Sequence, residues 1–285
     1  LMSKKQNKIL RYTEMLYSKP HLVSEDSFRV ITEYLDNRNN FKLMQIDAPT
    51  APDIDDDGGV NYDEMSGVGV IDISGTLTNE PVVTMCGVVG TSYESILEQA
   101  EEMIEAGVKK IVLDIDSGGG EAFNCFTSVD QFRKMCDEAG VRVYTYVDGM
   151  AASAAYAWAC AADEVIAPVD AEVGSIGVLI ALANMNKYYE NQGITRTWVS
   201  AGADKIPFDE NGDFKDSFLS DLQYKVDTLY SMFVQHVSKY TGLSADEIKA
   251  TEAKTFLSND AIKIGLVNKV MNKFDFVNYV LGKKD

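Results

Sequence analysis

Apolar residues along this chain follow two periods in turn, and the changes of period mark out its elements. Between residues 4 and 40, Ile9, Tyr12 and Leu16, then Phe28, Ile31 and Leu35, lie three and four apart, one face of a helix, with a break at Pro20. From Gly67 onward, short apolar runs alternate with helical stretches. Val68–Ile73 predicts a strand, and Tyr93–Ala106 a helix that ends at Gly107. Lys110–Ile115 predicts a strand running straight into the glycine turn Asp116-Ser-Gly-Gly-Gly-Glu121. Phe126–Ala139 reads as a helix closed by Gly140, and Arg142–Val147 as a strand leading to Ser153 and an alanine-rich helix. Glu164–Ala167, Ile176–Ala181 and Thr195–Val199 read as further strands, with a helix at Met185–Asn191 before Gly193. The last third is helical: Asp216–Tyr240 is long, and Ser244-Ala-Asp-Glu247 is a capping box.

Strand–helix–strand repetition implies an α/β fold with parallel strands and right-handed connections. No internal duplication is visible. The changes of character divide the chain into an N-terminal helical arm (1–46), an acidic linker (47–66), a core (67–272) and a C-terminal helical tail (273–285). The linker opens on Asp47-Ala-Pro-Thr-Ala-Pro52, where prolines interrupt any regular element.

Composition narrows the function classes. The chain has 285 residues, enough for one large domain with an appendage or two small ones, and 46% are hydrophobic, enough for a core. The net charge of −18 argues against nucleic acid and against an anionic membrane surface, since both are bound through clustered Lys and Arg. The cysteines, Cys86, Cys125, Cys136 and Cys160, form no Cys-x-x-Cys pair, so zinc and redox motifs are absent. Met2-Ser-Lys-Lys-Gln-Asn-Lys8 is charged with no apolar run after it, and Met150–Ala162 is too short to span a bilayer. The expectation is a cytoplasmic, reduced protein with no membrane segment.

Ser153 lies in Asp148-Gly-Met-Ala-Ala-Ser-Ala-Ala-Tyr156, after a strand and a glycine and at the start of a helix. Free amides and the helix dipole favour developing negative charge there, although a serine among alanines is more often just a small packing residue. The glycine turn serves either as a tight strand–helix connection or as a place where a substrate carbonyl approaches a backbone amide unhindered by a Cβ. A general base is the missing part. Of the two histidines, His21 falls in the arm and His236 in the long helix, where a structural role fits better. That leaves lysine, which can deprotonate serine when neutral. Lys205, in Ala203-Asp-Lys-Ile-Pro-Phe208, is one candidate and Lys187 the other. A hydroxyl, an amine and an amide cradle are the parts of a serine–lysine variant of the serine hydrolase plan.

Four segments carry a family resemblance: Val112-Leu-Asp-Ile-Asp-Ser-Gly-Gly-Gly-Glu121, Asp148–Tyr156, Gly174-Ser-Ile-Gly-Val178 and Gly265-Leu-Val267. Together they resemble the signal peptide peptidase A family of serine–lysine peptidases, and more closely its tailed-phage branch, the prohead or head maturation proteases. The resemblance covers roughly residues 66–270. It implies a Clp–crotonase-like spiral of ββα units, here with a helical N-terminal arm and a helical C-terminal third. By position it makes Ser153 the nucleophile and Lys205 the general base, with Ser175 orienting the lysine. The amides of Gly120 and Ala154 would form the oxyanion hole. Gly118 stands where the family usually has proline, and Asp204 precedes the lysine. The resemblance further implies peptide or protein substrates, namely scaffold and other head proteins. It implies a homo-oligomer in the host cytoplasm or the procapsid, and no required cofactor or catalytic metal. A crotonase-type acyl-CoA enzyme and a non-catalytic capsid assembly protein are the alternatives.

One motif stands apart. Asp53-Ile-Asp-Asp-Asp-Gly-Gly-Val-Asn-Tyr-Asp-Glu64 satisfies the calcium-loop pattern, but prolines precede it and a strand follows, where an EF-hand has helices. It reads as a calcium loop or as a flexible acidic linker.

Overall fold

Long strands of one sheet, short strands of a second and the helices behind them follow each other in a repeating order. The computed structural model describes residues 21–23, 62–63, 66–84, 87–88 and 90–283. Two short strands, β1 (His21–Val23) and β2 (Tyr62–Asp63), precede the core. The first unit contains β3 (Val68–Ser74), β4 (Leu77–Thr78), a hairpin of β5 (Val83–Thr84) and β6 (Gly87–Val88), β7 (Thr91–Ser92) and helix α1 (Tyr93–Glu105). The second is β8 (Lys110–Ser117), β9 (Gly119–Glu121) and α2 (Cys125–Ala139). The third is β10 (Arg142–Ala152), α3 (Ala154–Ala159), β11 (Glu164–Ala167) and β12 (Glu172–Gly174). Then come α4 (Asn186–Asn191), α5 (Asp216–Thr241), α6 (Ala245–Lys249), β13 (Thr255–Leu257), α7 (Ser258–Ala261), β14 (Lys269–Val270) and α8 (Lys273–Leu281).

The main sheet has the order β13-β12-β10-β8-β3-β2, with β11 and β14 beside the other half of β10. Strands β3, β8, β10, β11, β12 and β14 pair in parallel, while β2 and β13 pair antiparallel. The second sheet has the order β1-β9-β4-β7. Each of β3 and β8 thus crosses into a short strand of the second sheet and returns through a helix. This is the α/β, Clp–crotonase-like spiral of ββα units that the resemblance implies.

The apolar pattern explains the layers. On β3, Ile71 and Ile73 alternate with exposed Asp72 and Ser74, as one buried sheet face requires. That face packs on Ile96, Ala100 and Met103 of α1 and on Val129, Phe132 and Cys136 of α2. Ser92 caps α1 by accepting the Ser95 amide. All six residues of α3 are buried, which is why it is alanine-rich: it runs through the core and has no solvent face. Trp158 fills the remaining space between Tyr93 and Phe132, at ring distances of 5.9 and 5.7 Å. At the C-terminus, α8 stacks Phe276 on Tyr146 at 4.7 Å, and Lys273 pairs with Asp114 and Asp148.

Three expectations change. Ile176–Ala181 and Thr195–Val199 are not strands, and Val199 is 96% exposed. Alternation makes a strand only where a ladder partner exists, and the place beside β12 is taken by β13. The arm was expected to be helical, yet His21–Val23 is a strand. The rest of the arm and most of the linker lie outside the described residues, as does the calcium motif apart from Tyr62 and Asp63 of β2. Helix α5 buries residues only near its C-terminal end, at Phe233, Val234, His236 and Val237. Leu222, Val226 and Leu229, earlier on the same stripe, are half-buried.

Candidate active site

Ser153 ends β10 and begins α3. The strand brings Ala151 opposite Ser117 of β8 and Ala152 opposite Gly174 of β12. At Ser153 the chain turns sharply into the helix, with φ 56° and ψ −119°, a conformation that favours glycine. Its amide donates to the Gly174 carbonyl at 2.8 Å, and its carbonyl accepts from Ala157 at 3.0 Å. These two bonds hold a backbone whose strain is on the order of 1–3 kcal/mol. A strained strand-to-helix turn is how other hydrolases present a nucleophilic serine. Ser153 is fully buried, and among the described residues its Oγ has no hydrogen-bond partner. The neighbouring Ala154 occupies the first helical position, where the amide has no intrahelical acceptor.

The glycine turn is organised by the two residues before it. The Ser117 hydroxyl donates to the Gly75 carbonyl at 2.5 Å and accepts the Gly119 amide at 3.1 Å. Asp116 accepts the Met150 amide on Oδ1 at 3.2 Å. That contact clamps the irregularity between Val147 and Ala151, where β10 shifts register before reaching Ser153. Sequence reasoning missed Asp116 as a positioning residue. Asp116 and Met150 are far apart in sequence, and no periodicity links them.

Glycine at position 120 has a structural cause. A Cβ there would lie 1.9 Å from the Leu77 carbonyl oxygen and 2.6 Å from the Leu77 amide nitrogen. The residue is glycine because β4 crosses it backbone to backbone in the second sheet. Gly174 is similar: its φ is 126°, and a Cβ would meet the Lys254 carbonyl at 2.5 Å. The next residue, Ser175, is half-buried with φ 53°, and its amide donates to the same carbonyl at 2.9 Å.

The fold therefore gathers Ser153, Ala154, Gly174, Ser175 and the β8–β9 turn. Lys205 lies in an exposed turn, and Lys187 is exposed on α4. Among the described residues no hydrogen bond or ion pair joins either lysine to Ser153. Asp204 accepts from the Ser217 hydroxyl at 3.1 Å. His236 is structural: its Nε2 lies 3.0 Å from the Ala157 carbonyl, and burial holds its pKa below the ordinary value. Cys125, Cys136 and Cys160 are buried, and burial pushes the first two thiols up to about 12. The Tyr156 hydroxyl donates to the Leu266 carbonyl at 2.9 Å, so the Gly265-Leu-Val267 motif anchors α3 from behind.

Among the described residues no helix is long and apolar enough to cross a membrane. The model of peptidase family S49 matches residues 136–283, more than half of the chain. That stretch holds Ser153, Ser175 and Lys205 and begins after the glycine turn. Capsid assembly protease C of Escherichia phage lambda is 30% identical over 227 residues, 78% of this chain and 51% of that protein. Head-tail preconnector protein GP5 of Enterobacteria phage P21 is 28% identical over 222 residues, 76% of this chain and 43% of that protein. The chain spans about half the length of the curated relatives it matches. A mutant ClpP1 from Listeria monocytogenes aligns over 74% of this chain and 95% of its own, at 14% identity and a TM-score of 0.46. The family match is to a peptidase and so does not favour the acyl-CoA alternative. On the extent of that match, the chain belongs to peptidase family S49.

Proposed function

We propose that this protein is a serine endopeptidase that works through Ser153 and Lys205 and cleaves scaffold and other head proteins during phage capsid maturation. The observation that carries the reading is Ser153 itself: a buried serine in a strained turn at the head of a helix, inside the S49 match. In this reading the neutral Lys205 amine takes the Ser153 proton as Oγ attacks the peptide carbonyl. The amides of Gly120 and Ala154 hold the oxyanion. Lys205 then protonates the leaving amine, and a water activated by the same lysine releases the acyl group. Ser175, one residue beyond the carbonyl that accepts the Ser153 amide, orients the lysine. The chemistry needs no cofactor. Calcium at the Asp53–Glu64 loop is a separate proposal, and millimolar calcium titrated in a calorimeter without heat removes it.

Lys205 is exposed and Ser153 is fully buried with no hydrogen-bond partner among the described residues, which favours a dyad shared between subunits of a homo-oligomer, Ser153 from one and Lys205 from the next. The weakly buried first two-thirds of α5, which follows the Lys205 turn, supports the same arrangement. Such a protein would work in the host cytoplasm or inside the procapsid.

Labelling with a fluorophosphonate probe followed by mass spectrometry tests the nucleophile: Ser153 carries the label if the reading is right, and an unlabelled Ser153 overturns it. Mixing Ser153→Ala with Lys205→Met subunits after dissociation tests the shared dyad. A shared dyad regains part of the activity, because some interfaces pair an intact serine with an intact lysine. A mixture as inactive as its parents, in an oligomer shown to exchange subunits, places both residues in one chain.

A further inference from the structure

The second sheet has one strand that does not come from the ββα units. β1, His21–Val23, lies antiparallel on β9, with His21 opposite Glu121, Leu22 opposite Gly120 and Val23 opposite Gly119. The other side of β9 is already closed by β4, where Leu77 pairs with Gly120. Without β1, therefore, β9 would be an edge strand with a free row of amides and carbonyls, the kind of edge that takes up extended peptides by strand addition.

That edge is beside the nucleophile. β9 follows directly on β8, whose last residue, Ser117, pairs with Ala151 two positions before Ser153. β9 also packs on α3, the helix that Ser153 opens. Glycines stand opposite two of the three arm residues, so recognition on this edge is mainly by backbone and tolerates many sequences.

We propose that β1 is an internal occupant of the peptide-binding edge, and that the arm holds the protein inhibited until His21–Val23 is displaced from β9. The inference rests on the peptidase reading above and goes beyond it. The occupant is antiparallel and includes residues with apolar side chains, Leu22 and Val23. A substrate segment that displaces it would therefore enter in the same extended, antiparallel form.

The test uses the 285-residue chain with Leu22→Pro and Val23→Pro together. Successive N–H groups of a strand point to opposite sides, so one of the two prolines removes a donor from the β9 ladder. Amide hydrogen exchange at Gly119–Glu121 reads occupancy, and cleavage of fluorescently quenched casein reads activity. The expected result is lost protection at Gly119–Glu121 and a rise in cleavage of about tenfold, the change for an edge that is free in one molecule in ten before substitution. A synthetic peptide spanning residues 17–27 should then restore inhibition competitively. Unchanged exchange at Gly119–Glu121 in a variant with a normal melting curve overturns the proposal. Lost protection with unchanged casein cleavage overturns the inhibitory role. If Ser153 in that same sample also fails to take a fluorophosphonate label, the fault lies in the peptidase reading and not in the arm contact.

Discussion

Replacing Ser153 should make the protein more stable while abolishing its activity. Two local penalties meet at this residue. Its hydroxyl is fully buried with no hydrogen-bond partner among the described residues, and a buried unsatisfied hydroxyl costs about 1–3 kcal/mol. Its backbone sits at φ 56° and ψ −119°, which costs roughly 1–3 kcal/mol for a residue with a Cβ. Ser153→Ala removes the first penalty and keeps the second, so it should gain about 1–2 kcal/mol once the lost contacts of the oxygen are counted. Ser153→Gly removes both, but the freer unfolded chain takes back about 0.4–1 kcal/mol. Its net gain over Ser153→Ala should be about 0.5–2 kcal/mol. For a domain of this size one kcal/mol moves the melting point by about 2–4 °C. Differential scanning calorimetry should therefore give the order wild type, Ser153→Ala, Ser153→Gly, each step a few degrees. Equal melting points for the alanine and glycine variants would show that the turn is unstrained. A Ser153→Ala protein less stable than wild type would show that the hydroxyl has a partner in solution.

Gly120→Ala should destabilise the protein by about 1–3 kcal/mol, because a Cβ 1.9 Å from the Leu77 oxygen forces two paired backbones apart; a wild-type melting point would refute the close approach. Asp116→Ala should lower kcat about tenfold or more with about 1 kcal/mol of stability lost, while Asp116→Asn keeps an acceptor for the Met150 amide and most of the rate; equal rates for the two variants would remove the positioning role. Burial lowers the His236 pKa, so below the unfolded value near ~6.5 the unfolded chain takes up a proton that the folded chain resists. The stability His236 contributes is thus complete above that pH and lost progressively as pH falls below it and through the lower folded value. Melting points from pH 8 to 5.5 should show the decline, and His236→Gln should flatten it.

The order of elements was legible in the sequence because period and punctuation are local. Alternation marked β3, helical spacing marked α1 and α2, and Gly107 and Gly140 closed them within two residues of where the helices end. The turn at Ser153 was legible too, since a strand, a glycine and an alanine-rich helix in a row leave few places for one. Strand pairing is not local, and what depends on it was decided only in three dimensions. Alternation at Thr195–Val199 looked like a strand, but a strand needs a ladder partner and the described residues provide none there. Glycine at 120 is required by the close approach of Leu77, contributed by a different ββα unit, which no local pattern reveals. Asp116 gained its role from a register shift in a neighbouring strand, and Ser175 reached the site through the pairing of β10 with β12. His21–Val23 lost the helix its surroundings suggested because β9 offers it a backbone ladder. A local pattern sets which residues can form an element; the register of non-local pairing sets which of them meet, and that is where the site is made.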